Sequence, residues 1–537
     1  MTGTLRMEKS HAQLENGVLA RQVLEELISQ GVGEFCVCPG SRNAPFVYPL
    51  VNATRVRIYY WPEERSATFF ALGRIKATGR PVAVVTTSGT AVAELLPATM
   101  EAFYTGLPLV LLTADRPRNF RGTGAPQSAE QVGIFHRYAD TIDLAHGEHC
   151  SIGEWQRQSP IHLNVCFEEP DDEACKAIRI SSSIDIQKIN VQVNFSPDGI
   201  YLSFMHRIKF PFVIIGALPA SVREAVVRFL LHINAPLYAE GSSGIREEPR
   251  LAHLHIQCPE RMRDESARNG YPIDGILRIG GVPTHRLWRD LEFLRGEIEV
   301  CSISEQPFSG LSHGRLVQTD LNSFFTWASS ETVAKHYPYE EWKNVNNEKY
   351  QRLIALFHDE PLSEASLVHE FSRRLPMGTK VYLGNSLPIR EWDQAATYEQ
   401  RHYRIGCNRG VNGIDGQLAT FLGFCSPEQD NWAILGDLTL LYDLVGPWIS
   451  SQMKGMNANI VVVNNGGGQI FSRMHTHSAF LNSHQLSFEP LAQFWKWRYE
   501  KWETIPEQID ESRGFRLVEL LPDQGSTDRF FQKWKKN

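Results

Sequence analysis

Two turns in the last third of the chain carry oxygen donors in an order that suits a hard cation. Leu435-Gly436-Asp437-Leu438-Thr439 closes the apolar run WAILGD, and Asn464-Asn465-Gly466-Gly467-Gly468-Gln469 closes the apolar run NIVVVNN. A carboxylate from Asp437, an amide oxygen from Asn465 and a backbone carbonyl from Gly467 make the kind of oxygen set that Mg²⁺ shares with phosphate oxygens. The pair reads as a magnesium (or manganese) diphosphate site. Asp437 and Asn465 are 28 positions apart, room for one helix, LYDLVGPWISSQMKGM, between two parallel strands. Both turns would then lie at strand carboxyl ends, where open α/β sheets bind ligands. The plainer alternative is a helix cap at Asp437 and an ordinary Asn-Gly turn.

The elements that must hold these turns are legible as apolar runs. EFCVCPG, RIYYW, PVAVVTTSG, LPLVLLTAD and PIHLNV are Val/Ile/Leu-rich and bounded by Gly or Pro. Such runs suit parallel strands buried on both faces. After a polar stretch, SSSIDIQKINVQVNFSPDG, the pattern resumes in FPFVIIGALP, the helix SVREAVVRFLLHI, GILRIGG and EIEVCSIS. A third set, KVYLGNS, HYRIGCNRG, WAILGDL, NIVVVNN and FRLVELLP, contains the cation turns. The expected fold is α/β, three doubly wound parallel-sheet domains over residues 1–185, 195–340 and 350–537.

Composition sets bounds on function. With 42% hydrophobic and 21% charged residues, the chain has the make-up of a globular protein. No apolar run reaches the roughly 20 residues that span a bilayer. MTGTLRMEKSHAQLENG lacks the apolar core of a secretion signal, so the cytoplasm is the expected location. A net charge of −7 speaks against a general nucleic-acid surface. Nine cysteines, including Cys36 and Cys38 but no Cys-x-x-Cys, read as reduced, mostly buried thiols rather than a zinc site.

The Asp437–Asn465 spacing resembles the thiamine-diphosphate signature, with Leu438 where the generic pattern has Gly. That cofactor acts as an electron sink, and the protein must supply a few positioned groups. One is a sheltered carboxyl facing the pyrimidine ring. Glu64, in Trp61-Pro62-Glu63-Glu64-Arg65 after RIYYW, is the candidate, against the alternative of a solvated helix start.

Further strings sharpen the resemblance along nearly the whole chain. They are Pro39-Gly40-Ser41-Arg42, Glu64-Arg65, Thr87-Ser88-Gly89-Thr90-Ala91, Thr113-Ala114-Asp115-Arg116-Pro117, Gly384-Asn385-Ser386, Asn408-Arg409-Gly410, Gly413-Ile414-Asp415-Gly416 and Gly467-Gly468-Gln469-Ile470-Phe471. In this order they resemble the menaquinone-pathway synthases of 2-succinyl-5-enolpyruvyl-6-hydroxy-3-cyclohexene-1-carboxylate, a thiamine-diphosphate-dependent family in which Gly-Asp-Leu is expected.

The resemblance implies a transferase of the carboligase type. Its reaction is decarboxylation of 2-oxoglutarate and 1,4-addition of the succinyl carbanion equivalent to isochorismate. Both substrates are dianions, which suits arginines that bind carboxylates bidentately. The implied donor contacts are Ser386, Arg390 and Arg409. The implied acceptor contacts are Ser41, Arg42, Arg116 and Gln127, with Arg286 or the adjacent His285 from the middle segment. Pro126 stands where relatives often carry an amide. Cofactor contacts would come from Glu64, Ser88, Gly89, Gly436, Asp437, Leu438, Thr439, Asn465, Gly467 and Gln469. Ile414 would press the two cofactor rings together, and Ile470, Phe471 and Met474 would form an apolar wall. His475 and His477 read as solvated loop residues. Because about 370 residues separate Glu64 from Asp437, and the two halves come from different subunits in this superfamily, a homodimer or a dimer of dimers with interfacial sites is implied. The competing readings are an acetolactate-synthase-like carboligase for a smaller 2-oxoacid, and a non-catalytic cofactor-binding scaffold.

Overall fold

A computed structural model describes residues 2–184, 195, 199–472, 474, 475, 477–510 and 513–536. The polar stretch read as a linker lies largely outside these residues.

Three α/β parallel-sheet domains carry the strands. The first sheet contains β1 (Glu34–Val37), β2 (Arg57–Tyr60), β3 (Val82–Thr86), β4 (Leu109–Asp115), β5 (Asp140–Leu144) and β6 (Ile161–Cys166), in the order β2-β1-β3-β4-β6-β5. The second contains β7 (Pro211–Ile215), β8 (Leu237–Ala239), β9 (Gly275–Ile279), β10 (Glu299–Ser304) and β11 (Arg315–Gln318), in the order β11-β10-β9-β7-β8. The third contains β12 (Lys380–Leu383), β13 (Arg404–Gly406), β14 (Asn431–Gly436), β15 (Ala458–Val463), β16 (Arg498–Trp502) and β17 (Phe515–Leu520), in the order β13-β12-β14-β15-β17-β16. The first and third sheets therefore share one strand order. Each reverses its direction of winding beside the strand that opens it, which creates a crevice at the carboxyl ends of β1 and β3 and of β12 and β14.

The central strands are apolar on both faces, as VAVVT and ANIVVV require when helices cover both sides. Four strands are absent from the sequence reading: β5, β8, β11 and β16. All four are edge strands, short or partly polar (DTIDL, LYA, RLVQ, RYEKW), so no continuous apolar run announces them. The single crossing helix expected after Asp437 is instead a short helix, Asp437–Tyr442, and a 3₁₀ segment, Gly446–Gln452. Gly446 and Pro447 stand at the break, where a missing proline N–H and a flexible glycine stop an α-helix from continuing. All nine cysteines are free thiols, and eight are buried. Among the described residues no helix is long and apolar enough to cross a membrane.

The chain groups into two compact units. The first comprises residues 1–191, 410–427 and 440–456; the second comprises 192–409, 428–439 and 457–537. Inside the first unit, the helix Glu64–Thr78 crosses the helix Gln417–Phe424 at two glycines. A Cβ at Gly73 would lie 2.0 Å from the Thr420 carbonyl oxygen, and one at Gly423 would lie 2.1 Å from that of Phe70. Only glycine lets the two backbones approach so closely.

Candidate active site

In the first unit the predicted residues collect at the carboxyl edge of the first sheet. Ser41 and Arg42 follow β1, Glu64 follows β2, Ser88 and Gly89 follow β3, and Arg116 follows β4. The two adjacent acids divide their work. Glu63 is the N-cap, its carboxylate accepting from Arg65 N at 3.1 Å and Ser66 N at 2.8 Å. Glu64 is the first helical residue, and burial, with help from the Glu63 and Glu94 charges, pushes its carboxyl above the usual range. A half-buried carboxyl that holds its proton more tightly than usual can share that proton with a ring nitrogen.

The turn beyond β3 is tied to the loop after β4. Gly89 has φ +84°, and its N–H donates to Gln131 Oε1 at 2.9 Å; Ser88 Oγ donates to the Gln127 carbonyl at 2.8 Å. Arg116 Nε donates to the Pro126 carbonyl at 2.9 Å. Gln127, with φ +55°, leaves its side chain exposed. Pro126 thus serves the site through its backbone, whatever its side chain lacks. Arg42 is engaged within the chain: its buried guanidinium donates to the Phe167 carbonyl at 3.1 Å and pairs with Glu169 at 2.5 Å. Here it ties the end of β6 to the turn after β1. Ile414 is half-buried in this same unit, two residues before Gly416, which packs on the Phe69 ring.

In the second unit the oxygen donors gather at the ends of β14 and β15. Asp437 is buried; its Oδ1 accepts from Leu438 N at 2.6 Å and its Oδ2 from Gly467 N at 2.8 Å. Burial raises its pKa against these hydrogen bonds. The two asparagines separate cleanly. Asn464 spans Glu519 and the Leu486 carbonyl, a structural role. Asn465 donates through Nδ2 to Glu364, at 3.2 and 3.0 Å, while its buried Oδ1 has no hydrogen-bond partner among the described residues. A buried acceptor left open beside a buried carboxylate fits a divalent cation. Gly467 meets Asp437 through its N–H, a bond that does not involve the carbonyl expected to face the metal. Gly467 has φ +132°, and a Cβ there would lie 2.5 Å from the Leu481 carbonyl oxygen. His484, absent from the sequence reading, brings Nε2 within 3.2 Å of Asp437 Oδ2.

Gln469, Ile470 and Phe471 form a 3₁₀ turn, with Gln469 Nε2 donating to the Asn465 carbonyl at 3.3 Å. Phe471 and Met474 are 39% and 53% exposed, so within this one chain they form an open apolar surface and not a closed wall. His475 is exposed and stacks on Phe480, and His477 accepts from Ala479 N, in keeping with loop roles.

A basic cluster occupies the ends of β12 and β13. Ser386, with φ +75°, is a non-glycine residue in the left-handed region, a strained conformation that recurs at functional sites. Arg390 donates to its carbonyl. Arg409 donates to Asn385 Oδ1 at 2.7 Å, and its buried Nε has no partner among the described residues. Burial and then the charge of Arg409 lower the pKa of Arg390. Two neighbouring guanidinium groups whose hydrogen bonds go to neutral oxygens, one exposed and one half-buried, make a place for an anion. Arg286, Arg390 and His285 line one cavity of about 220 Å³. His285 is held by its own turn, its Nδ1 accepting from Leu287 N at 3.2 Å, whereas the Arg286 side chain is 75% exposed beside Asp290. Arg286 is the freer of the two. Behind them Glu240 accepts from Thr284 and His285, and burial together with Asp393 holds its carboxyl up at about 7.

Residues 18–134 match the family described as "Thiamine pyrophosphate enzyme, N-terminal TPP binding domain". A Bdellovibrio bacteriovorus protein named 2-succinyl-5-enolpyruvyl-6-hydroxy-3-cyclohexene-1-carboxylate synthase is 44% identical, over 97% of this chain and 99% of that one. A protein of the same name from Akkermansia muciniphila is 36% identical, over 95% and 97% of the two chains. An X-ray structure of a thiamin diphosphate-dependent enzyme from Mycobacterium smegmatis superposes with a TM-score of 0.68 over 94% of this chain and 99% of that one. At 14% identity that likeness speaks for the fold alone.

Proposed function

The chain belongs to the family of 2-succinyl-5-enolpyruvyl-6-hydroxy-3-cyclohexene-1-carboxylate synthases, thiamine-diphosphate-dependent enzymes, and from that premise we propose that it joins 2-oxoglutarate to isochorismate with loss of CO₂ in menaquinone biosynthesis. The observation that carries the substrate reading is the arginine pair. Arg390 and Arg409 repel one another, their side chains hydrogen-bond to the neutral oxygens of Ser386 and Asn385, and the Nε of Arg409 is buried without a partner among the described residues, so a dicarboxylate donor fits the pair. Arg286, beside Arg390 in the same cavity, adds a third cation for a dianionic acceptor.

Thiamine diphosphate, when bound, supplies the electron sink for decarboxylation and addition. Asp437 and Asn465 would hold its divalent metal, Mg²⁺ or Mn²⁺, with Gly467 completing the set. Gly436, Leu438, Thr439 and Gln469 would line the diphosphate. Glu64 would hold a proton at the pyrimidine nitrogen, supported by its raised pKa. Ser88, Gly89 and Ile414 would border the rings, and Ile470, Phe471 and Met474 would exclude water once a partner surface covers them. Ser41, Arg42, Arg116 and Gln127 would face the acceptor; Arg42 must first release Glu169. The working protein would be a cytoplasmic homodimer or homotetramer with sites between subunits.

Incubation of the purified protein with thiamine diphosphate, Mg²⁺, 2-oxoglutarate and isochorismate tests this reading. Cofactor-dependent loss of isochorismate, with a product of the adduct's mass, is expected. Equal turnover with pyruvate as donor would move the assignment to a carboligase of smaller 2-oxoacids and make Arg390 and Arg409 structural.

A further inference from the structure

Asparagine is an ambiguous metal ligand, because its amide ends are nearly the same shape and only one can bind a cation. Asn465 is therefore useful to a metal only if something fixes which end faces Asp437. That constraint comes from 101 residues away in sequence. Glu364, 3% exposed, places both carboxylate oxygens within reach of Asn465 Nδ2, at 3.2 Å for Oε1 and 3.0 Å for Oε2. A carboxylate of this kind accepts hydrogen bonds and does not donate them, so it attracts the NH₂ end and repels the carbonyl end. The result is seen at the other end of the amide: Asn465 Oδ1 is buried and open among the described residues.

Glu364 is itself fixed in place. It is the first residue of the helix Glu364–Arg374, whose N-cap Ser363 accepts from Ser366 N, and its own N–H donates to Thr527 Oγ1 at 3.1 Å. Asn464 gives an internal contrast. Its Nδ2 is also held by a glutamate, Glu519, but shares that hold with the Leu486 carbonyl, so its amide serves loop structure.

We propose that Glu364 is a positioning residue for the metal site, orienting the Asn465 amide so that its oxygen faces the cation beside Asp437. The inference rests on the metal reading of Asp437 and Asn465. Outer-shell groups of this type govern metal affinity without touching the metal.

The test is titration of the full-length protein with Mn²⁺ in the presence of thiamine diphosphate, with free Mn²⁺ read from its electron paramagnetic resonance signal. Glu364→Ala should raise the Mn²⁺ Kd about tenfold or more. Glu364→Gln, which keeps one acceptor oxygen, should raise it less. In an Asn465→Ala background Glu364→Ala should cause no further loss, because its effect passes through that amide. An unchanged Kd in Glu364→Ala overturns the inference, and so does an additive loss in the double variant. If Glu364→Ala does not fold, Glu364→Gln carries the test, and a Kd equal to the parent's overturns it. Asp437→Ala separates the two levels. Parent-like Mn²⁺ binding there removes the metal reading and this inference with it; loss there with none in Glu364→Ala leaves the metal reading standing and removes only the role of Glu364.

Discussion

The carboxyl edge of the third sheet carries two polar clusters built on opposite charges. Beyond β14 and β15, Asp437 and Asn465 present oxygens, with Glu364 behind the asparagine. Beyond β12 and β13, Arg390 and Arg409 present nitrogens, with Glu240 and Asp393 among the buried charges around them. The acidic cluster holds Asp437 by hydrogen bonds from backbone N–H groups and Asn465 by the Glu364 carboxylate, so its geometry is largely set in advance. The basic cluster hydrogen-bonds to neutral oxygens, with the Glu240 and Asp393 charges acting from further off, and the Nε of Arg409 is left open among the described residues. One sheet edge can thus fix a cation rigidly and accept an exchangeable anion two strands away. That division suits a resident metal and a substrate that comes and goes.

The comparison breaks most visibly if the acidic cluster is not a metal site. Asp437→Ala should lower Mg²⁺-dependent turnover about 100-fold or more, since it removes a charged ligand that no neighbour replaces. Arg409→Ala should act on the donor, raising the KM for 2-oxoglutarate by about 10- to 100-fold, the worth of a charge-assisted hydrogen bond. Arg409→Lys should recover only part of this, because an ammonium cannot reproduce the planar fork. A change in kcat alone, with KM intact, would count against a donor-binding role.

Gly73→Ala addresses a different dependence, that of Glu64 on its helix. A Cβ at 2.0 Å from the Thr420 oxygen forces the helices apart, and a stability loss of about 1–3 kcal/mol in chemical denaturation is expected. The smallest effect concerns Glu240. Its folded carboxyl titrates at about 7, above the ordinary value in an unfolded chain, so folding favours the protonated form. Its contribution to stability is complete below about pH 4.5, the ordinary glutamate range, and is lost as the pH rises through 7. Thermal unfolding should therefore show a larger fall between about pH 5 and 7 in the parent than in Glu240→Gln, levelling off above that. Identical slopes would mean that Glu240 is ionised throughout and already offsets the arginines.

What could be read from the sequence follows from distance along the chain. The turns at Asp437, Asn465, Ser386 and Glu64 each adjoin an apolar strand, so local pattern and position announce them together. Glu364 has no such signal: it meets Asn465 only because helix and strand fold together, and a Ser-Glu helix start looks like any other. The same holds for His484 beside Asp437 and for Gln131 beneath Gly89. Arg42 shows the converse, a residue in a recognisable string whose guanidinium is held by Phe167 and Glu169, more than a hundred positions later. Four of the six edge strands, β5, β8, β11 and β16, were unreadable for a physical reason, since one open side removes the need for continuous apolar residues.

The crossing of the helices Glu64–Thr78 and Gln417–Phe424 has a consequence for how the protein is made. The glycine that receives Thr420 is position 73, so the Glu64 helix lacks its tightest neighbour until some 350 further residues have left the ribosome. At about 5–20 residues per second that wait lasts tens of seconds. The first compact unit, which needs residues 410–427 and 440–456, cannot close on the nascent chain before synthesis is nearly finished. Truncated chains ending before residue 410 should present that helix face bare, as a target for chaperones rather than as a stable domain.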